Sequence, residues 1–141
     1  MITITRLATE YIDAVVDILR QDTLRYADGN YPDAGWISHF LTDDRCVSLG
    51  LFTDDVLVAI LISEKLSANG CMMWYIAVKP DMQGNRYGSQ LLSYFETHAG
   101  SFGIHWVFLN ATAASLPFYH KAGYITSSHS KVWEHYKDLT S

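Results

Sequence analysis

The sequence predicts an α/β (α+β) fold, with a single mixed, mostly antiparallel central sheet of six or seven strands flanked by about four helices. Three observations carry that expectation. A period-two run at the N-terminus gives way to helical stripes; two long β-rich runs are joined by a short acidic turn; and a strand, a glycine-bracketed turn, a helix and another strand follow one another between positions 71 and 110. With 141 residues, 49% of them hydrophobic and 18% charged, the chain is expected to form one domain over 1–141 with its own core.

Residues 2–7, ITITRL, alternate and predict the first strand. Thr9 offers an N-cap to a helix that carries Ile12, Val15, Val16 and Leu19 on one face. After the turn-rich stretch YADGNYPDAGW, Pro32 is expected to open a second helix with Trp36, Ile37, Phe40 and Leu41 on one side. The runs Cys46 to Phe52 and Val56 to Ser63, joined by Thr53, Asp54 and Asp55, read as a hairpin. Cys71 to Val78 is apolar on both faces and belongs in the middle of the sheet. Gly88, Leu91, Leu92, Phe95 and Ala99 mark the buried side of a helix that Gly100 and Gly103 end; IHWVFLN at 104–110 then makes a right-handed crossover with parallel ends. A last helix over about 113–122, closed by Gly123, leads to a tail that alternates as one or two strands.

Composition excludes several classes of function. A formal charge of −5 without a Lys/Arg cluster argues against nucleic acid, whose binding rests on many basic contacts. The longest apolar runs, VLVAILI and WYIAV, fall far short of the ~20 residues that span a bilayer, and MITITRL lacks the pattern of an export signal, so no membrane contact and a cytoplasmic location are expected. Cys46 and Cys71 are too few and too scattered for a zinc set or a disulfide framework, and the six histidines show no metal-like spacing; no metal is expected.

The stretch VKPDMQGNRYGSQLL at 78–92 concentrates the chemistry. A turn that leaves a central strand and feeds a helix N-terminus presents unpaired amides and the positive end of the helix dipole, which attract phosphate. A Walker loop needs Lys before the hydroxyl residue and a dinucleotide fingerprint needs three glycines, and neither fits here. By itself the same pair of glycines could be a plain strand-to-helix turn.

Val78, Pro80, Gln83, Gly84, Arg86, Tyr87 and Gly88 resemble the signature of the GNAT superfamily of acyl-CoA-dependent N-acetyltransferases, Gln/Arg-x-x-Gly-x-Gly/Ala after a strand ending in Val-x-Pro. Arg86 stands where that family most often has glycine. FYHKAGY at 118–124 is similar to the close of the family's last helix and puts Tyr119 at its catalytic tyrosine; the usual upstream Asn and Ala are replaced by Thr112 and Ser115, with Asn110 close by. The resemblance implies a splayed parallel strand pair that admits the pantetheine arm of acetyl-CoA, a co-substrate, along Ile76, Ala77 and Val78. It further implies that Gln83, Gly84, Asn85, Arg86, Gly88 and Ser89 cradle the pyrophosphate, with Asn110 on the opposite strand.

The implied reaction is direct attack by an amine, with an amide near Val78 stabilising the oxyanion and Tyr119 as general acid. Glu64, at the end of the second hairpin strand, is the candidate base, against the plain alternative of a solvated carboxylate. Tyr26, Tyr31 and Trp36, with Asp28 and Asp33, offer aromatic walls and charge to an ammonium group, or simply form a turn anchored by Trp36. The leading expectation is an acetyltransferase acting on a primary amine of a small molecule. A protein lysine or N-terminal acetyltransferase and a non-catalytic acyl-CoA-binding module stand beside it. The tail strand SKVWEHY could pair with a second copy to form a homodimer, or be an ordinary edge strand.

Overall fold

Strand placement follows from which runs are apolar on both faces. The computed structural model describes residues 1–21, 31–109, 116–126 and 135–139. Among them, seven strands form one sheet: β1 (Ile2–Arg6), β2 (Cys46–Thr53), β3 (Val56–Lys65), β4 (Gly70–Val78), β5 (Trp106–Leu109), β6 (Ile125–Thr126) and β7 (His135–Asp138). Their spatial order is β1-β2-β3-β4-β5-β7-β6, and every neighbouring pair is antiparallel except β4 and β5. β2 and β3 are buried along nearly their whole length, whereas β1, exposed at four of its five positions, closes one edge.

Four helices cover the two faces: α1 (Ile12–Leu19), α2 (Ala34–Thr42), α3 (Tyr87–His98) and α4 (Leu116–Lys121). The period of two along β3 divides the core. Ile60 and Ile62 point into the layer made with Val15, Leu19, Ile37 and Phe40 of α1 and α2. Ala59 and Leu61 point the other way, against Leu91, Leu92 and Phe95 of α3 and Tyr119 of α4. Everything that distinguishes the two sides of the sheet below rests on this alternation.

Several element ends differ from expectation, each for a local reason. Thr9 does not cap a helix: a 3-10 turn over Thr9–Tyr11 precedes α1, with Ala8 at its N-cap position. Pro32 lies one residue outside α2, because Asp33 takes the cap and its Oδ1 accepts the Trp36 amide at 2.8 Å. α3 ends at His98, Gly100 falls within a following 3-10 turn, and Gly103 at φ 74° makes the stop. β5 is only four residues long. Of the tail strand expected as a pairing edge, His135 and Tyr136 lie in β7 (His135–Asp138) and are paired on both sides, with β5 and β6; 130–134 lie outside the described residues.

In the β2–β3 hairpin Thr53 pairs with Val56, and both turn residues are left-handed, Asp54 at φ 49° and Asp55 at φ 67°. Two-residue hairpin turns of this kind favour glycine at the second position. Asp54 also accepts a hydrogen bond from the N-terminal ammonium at 3.2 Å, whereas Asp55 carries strain without that return. Asp55→Gly is therefore expected to stabilise the fold by about 0.5–1 kcal/mol, relief of strain outweighing the extra freedom of the unfolded chain. Thermal denaturation should show a melting point higher by about 1–4 °C; a fall would mean that the turn is not strained at Asp55.

Candidate functional site

Two parallel strands that part company leave a gap in the middle of the sheet. β4 pairs with β5 only at Gly70↔Trp106, Cys71↔Val107 and Met72↔Phe108. Beyond Met72, β4 continues to Val78 bonded to β3 on one side, with no strand on the other among the described residues. A bulge adds to the divergence, since Ile62 pairs with Tyr75 but Ser63 with Met73, which leaves Trp74 as the extra residue. Ile76, Ala77 and Val78, the expected cofactor-pairing residues, lie on this open stretch.

The turn after β4 ends at a helix without a cap. Arg86 occupies the N-cap position of α3, no side chain accepts a first-turn amide, and no acidic residue stands in that turn. α2, capped by Asp33, shows the contrast. The amides of Tyr87, Gly88 and Ser89 have no carbonyl one turn back and are available to an anion. Gly84 (φ 89°) and Arg86 (φ 62°, ψ 25°) both adopt the left-handed conformation that swings the chain from strand into helix. Arg86 thus departs from glycine where glycine would be conformationally easiest. Val78, Met82, Gln83, Gly84, Arg86, Tyr87, Gly88, Ser89 and Phe118 line a cleft of about 310 Å³.

Side chains brace this turn from within and from α1. Asn85 Nδ2 donates to the Met82 carbonyl at 2.9 Å, so its amide group serves the loop itself. Gln83 Nε2 donates to Gln21 Oε1 at 3.2 Å, and Gln21 Nε2 donates to the Val78 carbonyl at 2.8 Å and to the Ile18 carbonyl at 2.7 Å. Gln21, absent from the sequence expectations, thereby ties the end of α1 to the end of β4. No local pattern marks it, because its partners are distant in the chain. Gly88 is not needed for packing or backbone conformation: a Cβ there would meet Ile76, Val78 and Phe118 at ordinary distances of 3.7–3.9 Å. Its missing side chain keeps the cleft open.

On the α1–α2 face, a polar cluster sits among aromatic rings. Glu64 Oε2 accepts from His39 Nε2 at 2.8 Å, and Glu64 Oε1 accepts from the Trp74 indole N–H at 3.3 Å. The Glu64 side chain is 12% exposed and that of His39 35% exposed, so Glu64 is sheltered while His39 reaches water. Trp36 packs edge-on against Trp74, stacks near His39 and donates its indole N–H to Tyr75 Oη at 3.1 Å. Asp43 Oδ2 lies 3.9 Å from His39 Nδ1, and the Arg45 guanidinium holds the Asp43 carboxyl down at about 2. Cys46 Sγ lies 4.0 Å from His39 Nε2, and burial, followed by the charge of Glu64, pushes its thiol up to about 12. Among the predicted substrate residues, Trp36 joins this cluster, Tyr31 is half-buried just ahead of α2, and Tyr26 lies outside the described residues. His39, Trp74 and Cys46 were not singled out from sequence; the cluster is assembled across α2, β2, β3 and the β4 bulge.

Tyr119 lies across the sheet, in the α3 layer, with its ring between Phe118 and Tyr124 and only 9% of its surface exposed. Burial raises its hydroxyl to about 12, which keeps it a proton donor at any physiological pH. Asn110 lies outside the described residues.

The fold matches the PaiA N-acetyltransferase of Thermoplasma acidophilum in complex with coenzyme A, with a TM-score of 0.80 at 17% identity over 98% of this chain and 99% of the other. It matches the ribosomal-protein-S18-alanine N-acetyltransferase of Escherichia coli with a TM-score of 0.81 at 17% identity, over 100% and 96% of the two chains. It also matches N-acetylglutamate synthase of Neisseria gonorrhoeae, complexed with coenzyme A and N-acetyl-glutamate, with a TM-score of 0.81 at 17% identity; there the match covers all of this chain but 36% of the other. No curated protein matches the chain significantly by sequence. The family model of the acetyltransferase (GNAT) family matches residues 7–124, so the chain belongs to that family of acetyl-CoA-dependent transferases.

Proposed function

We propose that the protein acetylates a primary amine of a small molecule, with Glu64 receiving the proton of the incoming ammonium and Tyr119 protonating the departing thiolate. The observation that carries this reading is a pair of functional groups in the two layers that flank the sheet. A sheltered carboxylate rimmed by aromatic rings lies on one face of the sheet, and a buried, protonated phenol lies on the other. Bound acetyl-CoA would supply an activated acetyl thioester. The uncapped start of α3 and the glycine-lined cleft suit its diphosphate, and the open stretch Ile76–Val78 suits its extended arm.

An alkylammonium of pKa ~10.4 is neutral at pH 7 in only about one molecule in 2500, a cost of roughly 4.6 kcal/mol. Glu64 lowers that cost by holding the proton at a carboxylate already oriented by Trp74 and His39. His39, one-third exposed, then passes the excess proton to water. Trp36, Trp74 and Tyr75 offer ring faces that favour a cation beside the carboxylate. A protein N-terminus or lysine presents the same group and would meet the same carboxylate.

Glu64→Gln is expected to lower kcat/KM about 10²–10⁴-fold at pH 7, with the deficit shrinking as the pH approaches ~10.4 and the amine deprotonates unaided. A deficit that stays constant with pH would remove Glu64 as the base. Tyr119→Phe should cut kcat about 10²-fold or more while leaving coenzyme A affinity intact, read by thiol release and by calorimetry. In the unsubstituted protein no alkaline loss of rate below about 12 should trace to Tyr119, since the folded protein keeps its hydroxyl protonated up to that point. If an amine panel that includes an alanyl peptide gives no thiol release despite tight coenzyme A binding, the protein is a binding module; if only the peptide reacts, the acceptor is a protein.

Gly88 separates fold from function. Gly88→Ala should stabilise the protein by about 0.5–1 kcal/mol, because alanine is the better helix residue and the added methyl meets no clash. The same methyl should weaken coenzyme A binding. Unchanged affinity alongside the stability gain would move the diphosphate away from this turn.

A further inference from the structure

Three donors of different chemistry converge behind the proposed acceptor pocket. His39, Cys46 and Glu64 each bring one ligand atom into a group whose members all lie within 4.8 Å of one another. Neither spacing in the chain nor residue type announces this, but the fold makes it rigid. Cys46 on β2 and Glu64 on β3 are direct cross-strand partners, so their side chains stand side by side on the same face. His39 reaches down onto them from α2, whose last turn leads directly into β2.

We propose that His39, Cys46 and Glu64 form a site for a divalent transition-metal ion of the zinc or cobalt type, and that occupancy of this site switches off acetyl transfer. An imidazole, a thiolate and a carboxylate are the donors such ions take, and three protein ligands with one open position is a recurrent arrangement. Around a tetrahedral ion with bonds of ~2.0–2.3 Å the donors stand roughly 3.3–3.6 Å apart. The 2.8 Å separation of His39 Nε2 from Glu64 Oε2 would have to open, and the 4.0 Å separation from Cys46 Sγ to close, by about half an ångström each. Such shifts are within side-chain torsion.

The supporting contacts are those an ion site uses. Trp74 holds Glu64 Oε1 and leaves Oε2 for the ion. Asp43 stands 3.9 Å from His39 Nδ1, near enough to take up a hydrogen bond from that nitrogen once an ion displaces the Nε2 proton now shared with Glu64, and Arg45 holds Asp43 in turn through its Nε and Nη2. His39, 35% exposed, gives the site access to water. On binding, the Cys46 thiol releases its proton to the buffer and its sulfur pair forms the metal bond, so affinity rises with pH. The ion also takes the oxygen and nitrogen pairs with which Glu64 and His39 handle the substrate proton. This inhibitory consequence, unlike binding itself, rests on the reading of Glu64 as the base.

The test is titration of the chelator-treated full chain with cobalt(II). The expected result is a near-ultraviolet thiolate-to-cobalt charge-transfer band that saturates at one ion per chain, with thiol release from acetyl-CoA falling at the same midpoint. Cys46→Ser should abolish the band, and His39→Ala, on the accessible side of α2, should weaken binding by about 100-fold without disturbing the sheet. Asp43→Asn should weaken it by about 10-fold with the band retained. Absence of the band, or its survival in Cys46→Ser, overturns the site. A saturated band with undiminished turnover overturns the inhibition alone. A band in a protein that acetylates no amine upholds the site and sinks the transfer reading instead.

Discussion

An interior strand cannot leave its backbone polar groups unpaired, and β4 is an interior strand with a partner on one edge for only its first three residues. The rest of the architecture answers to that constraint. β5, described as far as Leu109, is held from its far side by β7 and within the described residues pairs with β4 only as far as Met72. The Trp74 bulge bends β4 near the point where the strands separate. At the far end, the Val78 carbonyl is satisfied by Gln21 and Gln83 side chains rather than by a strand. What stays open between these two ends is a stretch of β4 edge about 20 Å long, fit for an extended ligand that carries its own amides.

The sheet also separates two chemistries. Alternation along β3 and β4 sends Glu64 and Trp74 toward the α1–α2 layer and leaves Tyr119 in the α3 layer. On opposite faces they meet only through whatever occupies the gap. Their environments push the same way: Glu64 keeps a path to water through His39, whereas burial holds the Tyr119 proton in place. In the proposed reaction a proton enters on one side and is supplied on the other, so the separation gives it a direction.

Much of the fold was legible because its signals are local. The β2–β3 hairpin announced itself through two apolar runs and two aspartates, β4 through a run apolar on both faces, and the strand-to-helix turn through Gly84 and Gly88 ahead of the α3 stripe. The misreadings are also local, and they arise where two residues compete for one job. Asp33, not Pro32, starts α2, because an accepted hydrogen bond outweighs a preset φ. The tail strand could not be assigned to an edge or an interior position from its own residues, since β7 is interior only through its pairing with β5 and with the short described stretch of β6. The polar cluster was legible in one member only. Glu64 stands at a strand end, but His39 looked like any surface histidine and Cys46 like any buried thiol. Their meeting depends on a β2–β3 register that composition does not express.

Arg86 shows how a departure from pattern can serve the same end as the pattern. The turn demands a left-handed residue at this position, and arginine meets the demand at a cost of about 1–2 kcal/mol that glycine would avoid. What it adds is charge. The chain carries a formal −5, so a polyanionic cofactor approaches against the long-range field of the protein. A fixed cation at the mouth of the cleft, beside the uncapped start of α3, reverses that field locally, where the diphosphate would arrive. The side chain is exposed and makes no cap, so its stem is free to follow the ligand instead of bracing the loop. Bracing falls to Asn85, Gln83 and Gln21, and the strain at Arg86 is thus borne by a turn that other residues already hold in shape.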